Sequence, residues 1–211
     1  MKLWNKDGNS NNKVDNFTVG EDRKNDLEIA KYDCIASISH AKMLNKIGII
    51  NEQELNKIIS VLNKIKDDAE KGILEIEKEF EDIHSKIEFI LVDKLGEIGK
   101  KIHTGRSRND QVLVAMQLFL LDSLNDIKSL VVSLFDVLMK LSKSHKDKLM
   151  PGYTHLQVAM PSSFGLWFSA YAESLIDDII FINSAIKVLD QNPLGSAAGF
   201  GSSFNIDRNF T

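Results

Sequence analysis

The feature that most constrains this chain is the long stretch from Asp110 to Lys148, which contains no glycine and no proline. Glycine and proline are the residues that most readily end a helix, so this stretch predicts one continuous helix. At 1.5 Å per residue, roughly 38 residues make a helix of about 57 Å. Such a helix is longer than a compact domain of this chain's size is wide.

The long helix is apolar on most of its faces. A second helix is predicted from Ser162 to Leu189, where Asn192-Pro193 stops it. Two helices cannot bury each other on every side, so we expect other subunits to complete a helical bundle. The side chains that spread over several faces of the first helix include Val112, Leu113, Met116, Leu120, Leu121 and Val132.

Shorter helices are predicted before the long one, from Asp26 to Gly48, from Asn51 to Gly72 and from Glu81 to Gly96. Asn51 and Glu54 have the spacing of a capping box. The apolar patch from Ile73 to Ile76 fits either a strand or a turn. Because the chain has no strand-turn-strand signal and no internal repeat, the fold class is predicted to be all-α.

Composition excludes several classes of function. The formal net charge is −4 and no polybasic arm occurs, which argues against nucleic acid as the partner. A single cysteine, Cys34, excludes an internal disulfide and fits a buried, inert thiol. Residues 5–16 are too polar to bury. Neither a signal peptide nor a membrane-length apolar run is seen, so we expect a cytoplasmic protein that does not bind a membrane.

The most distinctive polar stretch is His103-Thr104-Gly105-Arg106-Ser107-Arg108-Asn109-Asp110-Gln111, at the mouth of the long helix. Arginine offers a planar fork that matches a carboxylate, and the first helical turn offers unpaired N–H groups. The stretch therefore predicts a carboxylate-binding site. The alternative is an ordinary capped helix start with solvated arginines.

A second polar stretch, from Met150 to Pro161, connects the two long helices. Its prolines stiffen both ends, so Thr154, His155 and Gln157 are expected to be held in place. Histidine titrates near neutral pH, which makes His155 a candidate acid or base. The alternative is a buried histidine that its neighbours satisfy.

A third stretch, from Asn192 to Phe204, is rich in glycine and small residues. It allows close approach to a ligand or another chain, although tight packing is the more usual use of such a stretch. No dinucleotide fingerprint, P-loop or His-x-x-x-His spacing occurs, so neither a nucleotide cofactor nor a metal is expected.

Taken together, these three stretches resemble the ordered motifs of the argininosuccinate lyases, members of the fumarase and aspartase superfamily. The resemblance extends from Leu3-Trp4, through Glu81-Asp82-Ile83-His84, to Ile206-Asp207-Arg208. The Thr-His-x-Gln loop is shared across the superfamily. The stretch from Thr104 to Asp110 is the one that is typical of the argininosuccinate branch.

The resemblance implies a small helical domain over residues 1–108 and the first part of a central long-helix bundle over residues 109–211. It also implies a homotetramer whose active sites are shared between subunits, and reversible elimination of arginine from argininosuccinate to leave fumarate. His155 then takes part in proton transfer, without its direction being fixed. The implied substrate-binding positions are Asn109, Thr154, Ser107, Arg108, Asp82, His84 and Gln157.

The chain departs from the family pattern in two places. The N-terminal Phe-x-x-Ser of the family reads Phe17-Thr18-Val19-Gly20, so that contact is missing or comes from Thr18 or a backbone N–H. The family's Gly-Ser-Ser-x-Met-Pro loop, which carries a catalytic serine, is absent, since Gly201-Ser202-Ser203 continues differently. We therefore expect these 211 residues to be inactive alone.

Two alternatives stay open at this point. One is a sister lyase that acts on aspartate, fumarate or adenylosuccinate. The other is a non-catalytic structural homologue, although such a protein would have no need of His155, Thr154 and Asn109.

Overall fold

The computed structural model describes residues 17–211, and predictions about residues 5–16 and Leu3-Trp4 lie outside that range. In chain order the elements are α1 (Asp22–Lys46), α2 (Glu52–Glu70), α3 (Ile83–Leu95), α4 (Glu97–Lys100), a 3₁₀ turn (Lys101–His103), α5 (Arg108–His145), β1 (Leu149–Thr154), β2 (Gln157–Ser163) and α6 (Phe164–Leu189). The predicted all-α class is confirmed, with one small hairpin added to it.

Local sequence signals set the ends of these helices. Asn51 accepts from the Glu54 N–H at 2.9 Å and its own N–H donates to the Glu54 carboxylate at 2.9 Å, so the predicted capping box is confirmed. The chain leaves α1 and α2 through Gly48 and Gly72, whose φ angles are +79° and +67°. The apolar patch from Ile73 to Ile76, which fits either a strand or a turn by sequence, forms neither in the structure.

Contacts within the chain form two compact units. The first contains the described residues up to Phe119 together with Asn192–Thr211, and the second is Leu120–Gln191. The predicted domains, residues 1–108 and 109–211, stay a prediction.

The core of the first unit lies between α1, α2 and α3. It includes the fully buried Cys34, which confirms the prediction of a buried thiol, and burial raises the pKa of this thiol. The apolar side chains that form the core are Ile29, Ala30, Met43, Leu44, Ile58, Leu62, Ile83, Ile87, Leu91 and Ile102.

The second unit contains the rest of α5, the hairpin and α6. Its packing needs a glycine, because a Cβ on Gly165 would lie 2.5 Å from the Lys146 Cα, and the Ser142 hydroxyl donates to the Gly165 carbonyl at 2.8 Å. Many large apolar side chains of this unit remain exposed in the single chain. They include Leu130, Leu134, Val137, Leu166, Trp167, Tyr171, Ile180, Phe181 and Val188.

The connection between α5 and α6, predicted from its prolines to be a stiffened loop, is a β-hairpin, although the sequence carries no strand-turn-strand signal. β1 and β2 pair antiparallel, with Thr154 opposite Gln157 and Pro151 opposite Pro161. The two-residue turn is His155-Leu156, with φ angles of +50° and +63°. Turns of this kind are usually marked by Asn-Gly or Asp-Gly, and prolines usually argue against a strand, so the local sequence hid the hairpin.

Candidate active site

The mouth of α5 is closed by reciprocal hydrogen bonds between Ser107 and the first helical turn. The Ser107 hydroxyl accepts from the Asn109 N–H at 3.2 Å, and the Ser107 N–H donates to the Asp110 carboxylate at 3.0 Å. This arrangement satisfies donors that a helix start leaves unpaired. The capped start considered above is therefore present, and it also leaves the Asn109 side chain exposed beside the positive end of the helix.

Arg108 points toward α3. One of its terminal nitrogens, Nη1, lies 3.7 Å from the Asp82 carboxylate; Nη2 lies 3.6 Å from Glu88 and donates to the Ser85 hydroxyl at 3.3 Å. Asp82 also caps α3, because its carboxylate accepts from the Ser85 N–H at 2.6 Å. Arg108 and Asp82 thus join the starts of two helices around the candidate site.

Behind the mouth lies a buried polar network centred on Asp33 of α1, whose side chain is fully buried. Its carboxylate contacts Nδ1 of His84 at 2.8 Å and accepts from the Gln111 amide at 3.0 Å on both oxygens. The Ser37 hydroxyl donates to it at 3.2 Å and in turn accepts from Arg106 at 2.8 Å. Every partner in this network is itself buried.

The Asp33 carboxylate remains charged in this environment. Burial alone would raise its pKa, but His84, Arg106 and the hydrogen bond from Gln111 together lower the pKa to about 2. Arg106 is only 6% exposed, and burial lowers the pKa of its guanidinium while Asp33 and Asp110 oppose that effect. The network therefore keeps buried opposite charges next to each other, which is the condition under which buried charge is tolerated.

His40, one turn from Ser37, is a histidine of a different kind. It is fully buried and hydrogen-bonded through Nε2 to the Thr104 carbonyl at 3.0 Å. Burial and the nearby Arg106 lower its pKa to about 3, so His40 is neutral at physiological pH. We infer that His40 stabilises the loop that leads into α5.

The tip of the hairpin carries the second predicted group. Thr154 and Gln157 face each other across the turn, and His155 occupies its first position. All three are exposed in the single chain, so no neighbour within this chain buries His155. Backbone pairing of β1 with β2 holds the three polar residues together on one short turn.

The third stretch packs against the start of α5. The Ala197 N–H donates to the Asp110 carboxylate at 2.8 Å, and Leu194 is buried against Val114. A Cβ on Gly195 would lie 3.1 Å from the Arg208 side chain. A cavity of about 590 Å³ opens along this stretch, but none of the predicted site residues lines it. The start of the stretch is therefore packed against α5, whereas a Cβ on Gly199 or Gly201 would have no atom within 4 Å.

The predicted residues fall in two groups. Asp82, His84, Ser107, Arg108 and Asn109 lie in the first unit around the start of α5. Those of the second unit are Thr154, His155 and Gln157, on the hairpin.

Sequence reasoning missed Asp33 and Ser37 altogether. It placed Arg106 and Gln111 in a stretch that binds a carboxylate ligand, whereas the structure places them in the network around the buried Asp33 carboxylate. A signal was present in α1, where Asp33, Ser37 and His40 follow helical spacing beside the apolar residues of its buried face. A polar stripe at core positions needs partners elsewhere in the chain. Here the partners are in α3 and at the mouth of α5.

Within residues 17–211, no group of three or more His, Cys, Asp or Glu side chains is arranged to hold a metal ion. None of the described helices is both long and apolar enough to cross a membrane.

Comparison with known proteins relates the chain to lyases. The family described as Lyase matches residues 4–211. The argininosuccinate lyase of Phocaeicola vulgatus is 54% identical over all of this chain, which covers 47% of that protein. That of Thermotoga neapolitana is 44% identical over 210 residues and is covered to 53%. The chain thus spans about half the length of the curated relatives it matches.

A solved structure with the same fold is an EDDS lyase in complex with formate. Its TM-score is 0.75 over 92% of this chain and 39% of that one, at 24% identity. At this level of identity the likeness shows the fold alone.

Proposed function

The chain belongs to the lyase family, and we propose that it forms part of an argininosuccinate lyase. The proposed reaction converts argininosuccinate reversibly into arginine and fumarate. The observation that carries the proposal is the 54% identity to an argininosuccinate lyase along the whole chain. That alignment takes in the start of α5, the hairpin and the stretch after α6.

The elimination needs anion recognition first. Both products of the elimination, arginine and fumarate, carry carboxylates, and so does the negatively charged intermediate formed when a proton leaves the carbon beside a carboxylate. In our proposal Asn109 donates to a substrate carboxylate from the first turn of α5, next to the positive end of the helix. Ser107 and Arg108 support this position, and Asp82 and His84 line the same side of the site.

Proton transfer is assigned to the hairpin. His155 takes part in moving the proton, and Thr154 and Gln157 beside it hydrogen-bond the substrate. The support for these roles is their placement on one rigid turn, together with their exposure in the single chain. An exposed histidine on a paired hairpin can meet a substrate without any rearrangement of its own backbone.

We also propose that the protein is a homotetramer in which each site is built from several subunits. The support is the second unit, where Leu130, Phe181 and Val188 are 70%, 75% and 67% exposed although they are large and apolar. Such surfaces are buried in association with other chains.

The test uses the purified full-length gene product and follows fumarate by its ultraviolet absorbance. We expect turnover of argininosuccinate and none of aspartate, malate or adenylosuccinate. Turnover of one of those three without any of argininosuccinate would place the protein in a sister branch. No turnover of any of the four would favour a structural homologue.

A matched pair of histidine variants tests the role of the hairpin. We expect His155→Asn to reduce turnover by about 10²- to 10⁴-fold, as loss of an acid or base does. The control is His145→Asn at the end of α5, where the ring packs 6.2 Å from the Phe168 ring. It should keep near wild-type turnover. If both variants lose turnover equally, or neither does, the assignment of His155 is wrong.

A further inference from the structure

We propose that Asp33 is a positioning residue of the active site, which fixes the proton of His84 on Nδ1 and holds Gln111 at the mouth of α5. This inference rests on the proposed function, because it takes His84 to be a group that meets the substrate. Asp33 itself lies behind His84 and is completely buried. It therefore acts through its neighbours and not on the substrate.

The first step concerns the proton on His84. An ionised carboxylate has no proton to give and can only accept hydrogen bonds. The Asp33 oxygen Oδ2 lies 2.8 Å from His84 Nδ1, so Nδ1 must carry the proton of that bond. Nε2 is then the ring nitrogen left to meet a substrate. A histidine whose other nitrogen is held by a carboxylate has a fixed orientation as well as a fixed tautomer.

The second step concerns the other contacts of the carboxylate. Oδ1 accepts from the Ser37 hydroxyl at 3.2 Å, and the Gln111 amide lies 3.0 Å from both oxygens. Gln111 follows Asn109 by two residues in the first turns of α5. Asp33 thus connects His84 of α3 with Gln111 of α5. The first residues of these two helices surround the candidate site.

The third step is the charge balance that keeps Asp33 ionised. Arg106 is buried and reaches Asp33 through the Ser37 hydroxyl, which accepts from the guanidinium and donates to the carboxylate. Arg106 belongs to the motif at the mouth of α5, yet it faces the interior. Its role in the proposal is to compensate the buried carboxylate.

These contacts predict what Asp33→Asn would do. The amide oxygen should take the place of Oδ1, where it can still accept from Ser37 and Gln111. The amide NH₂ would then stand where Oδ2 meets His84. A donor at that place needs Nδ1 as an acceptor, so the His84 proton is expected to move to Nε2.

The matched control is Asp26→Asn. Asp26 is also on α1 and its carboxylate also reaches α3, but it accepts from the Ile83 N–H at 3.1 Å and does not touch a histidine. This variant should weaken the contact between the two helices and leave the His84 tautomer unchanged.

The experiment measures tautomer and turnover in the same proteins. The full-length gene product is labelled with ¹⁵N-histidine and sedimented, and magic-angle-spinning NMR reports which ring nitrogen is protonated, with His84→Gln used to assign the signal. We expect Nδ1 to be protonated in the wild type and in Asp26→Asn. In Asp33→Asn we expect a proton on Nε2 alone and a fall in kcat for argininosuccinate of about 10- to 100-fold.

Several outcomes would overturn the inference. A wild-type His84 with its proton on Nε2 alone would do so even if Asp33→Asn failed to fold. So would an Asp33→Asn protein that kept Nδ1 protonated, or one that changed tautomer while kcat stayed at the wild-type value. Absence of wild-type turnover would instead count against the proposed function, and the tautomers of the wild type and Asp33→Asn would still decide whether Asp33 positions His84.

Discussion

The start of α5 and the tip of the hairpin carry the two groups of candidate residues, and they are held by different means. At the start of α5, side chains are fixed by other side chains, through the buried contacts of Asp33, Arg106 and Asp110. At the hairpin, His155 is exposed and fixed only by the pairing of two strands. The candidate residues at the start of α5 are thus held by buried side chains of their own unit, whereas those of the hairpin are exposed and held by backbone pairing alone.

The largest expected effect is that of Arg106→Met, which removes the buried cation at the start of α5. The Asp33 carboxylate would stay buried without this compensating cation, and a buried charge left without its partner costs about 3–5 kcal/mol. Urea denaturation of the variant and the wild type measures this loss. The control, Arg23→Met, removes bonds to the Phe80 and Lys78 carbonyls and should cost about 1 kcal/mol. Equal losses would mean that the network does not stabilise the fold.

The next effect is a dependence of stability on pH. The Asp33 pKa is about 2 in the folded protein against a usual 3.8, so its ionised form stabilises the fold above about pH 4, by about 2 kcal/mol. This stabilisation is lost as the pH falls toward 2. We expect the difference in stability between the wild type and Asp33→Asn to shrink over that range in urea denaturation.

The pKa of Asp26 is shifted in the opposite direction from that of Asp33. Burial is the main reason that its pKa is raised, so protonation at low pH should favour the folded state at this position. The stability of the wild type relative to Asp26→Asn should therefore rise as the pH falls. If both variants gave the same slope, the assignment of the effect to Asp33 would fail.

A smaller effect separates a serine at the site from a serine outside it. Ser107 caps α5, and Ser163 caps α6 by accepting from the Leu166 N–H at 3.1 Å. Replacement of either by alanine should cost about 1 kcal/mol. Only Ser107→Ala should also weaken turnover of argininosuccinate. Equal turnover in the two variants would limit Ser107 to capping.

The smallest expected effect is a gain at the hairpin. Leu156 is 98% exposed and has a φ of +63°, a conformation that glycine adopts without strain. Leu156→Gly should raise stability by about 0.5 kcal/mol, since relief of strain exceeds the added chain entropy. Leu149→Gly, at an exposed strand position of the same hairpin, should instead lower stability. A loss in both variants would show that the turn is not strained.

How much of this could be predicted from the sequence depends on the range of the interactions. The helices were placed well because their signals are local, as in the Asn51 capping box and the glycines that follow α1 and α2. The hairpin was missed because His155-Leu156 has no residue that favours a positive φ. The long α5 could also be predicted from a local signal, because no glycine or proline interrupts it.

The Asp33 network could not be predicted from local patterns. His84, Arg106 and Gln111 lie far from α1 in the sequence, and their contacts with α1 span 51, 69 and 78 residues. Spacing along one helix identifies a polar stripe, but it does not identify which distant side chains complete the hydrogen bonds. Only the packing of α1, α3 and α5 around one carboxylate does so.

The hydrogen bond from Ala197 to Asp110 spans 87 residues, and this has a consequence for biosynthesis. The cap of α5 is not complete when the ribosome has made α5, because its last partner follows α6. At about 5–20 residues per second, translation needs roughly 4 to 17 s to reach it. During that interval the Asp110 carboxylate lacks the hydrogen bond from the Ala197 N–H. The first unit of the nascent chain is therefore completed only after α6 has been made.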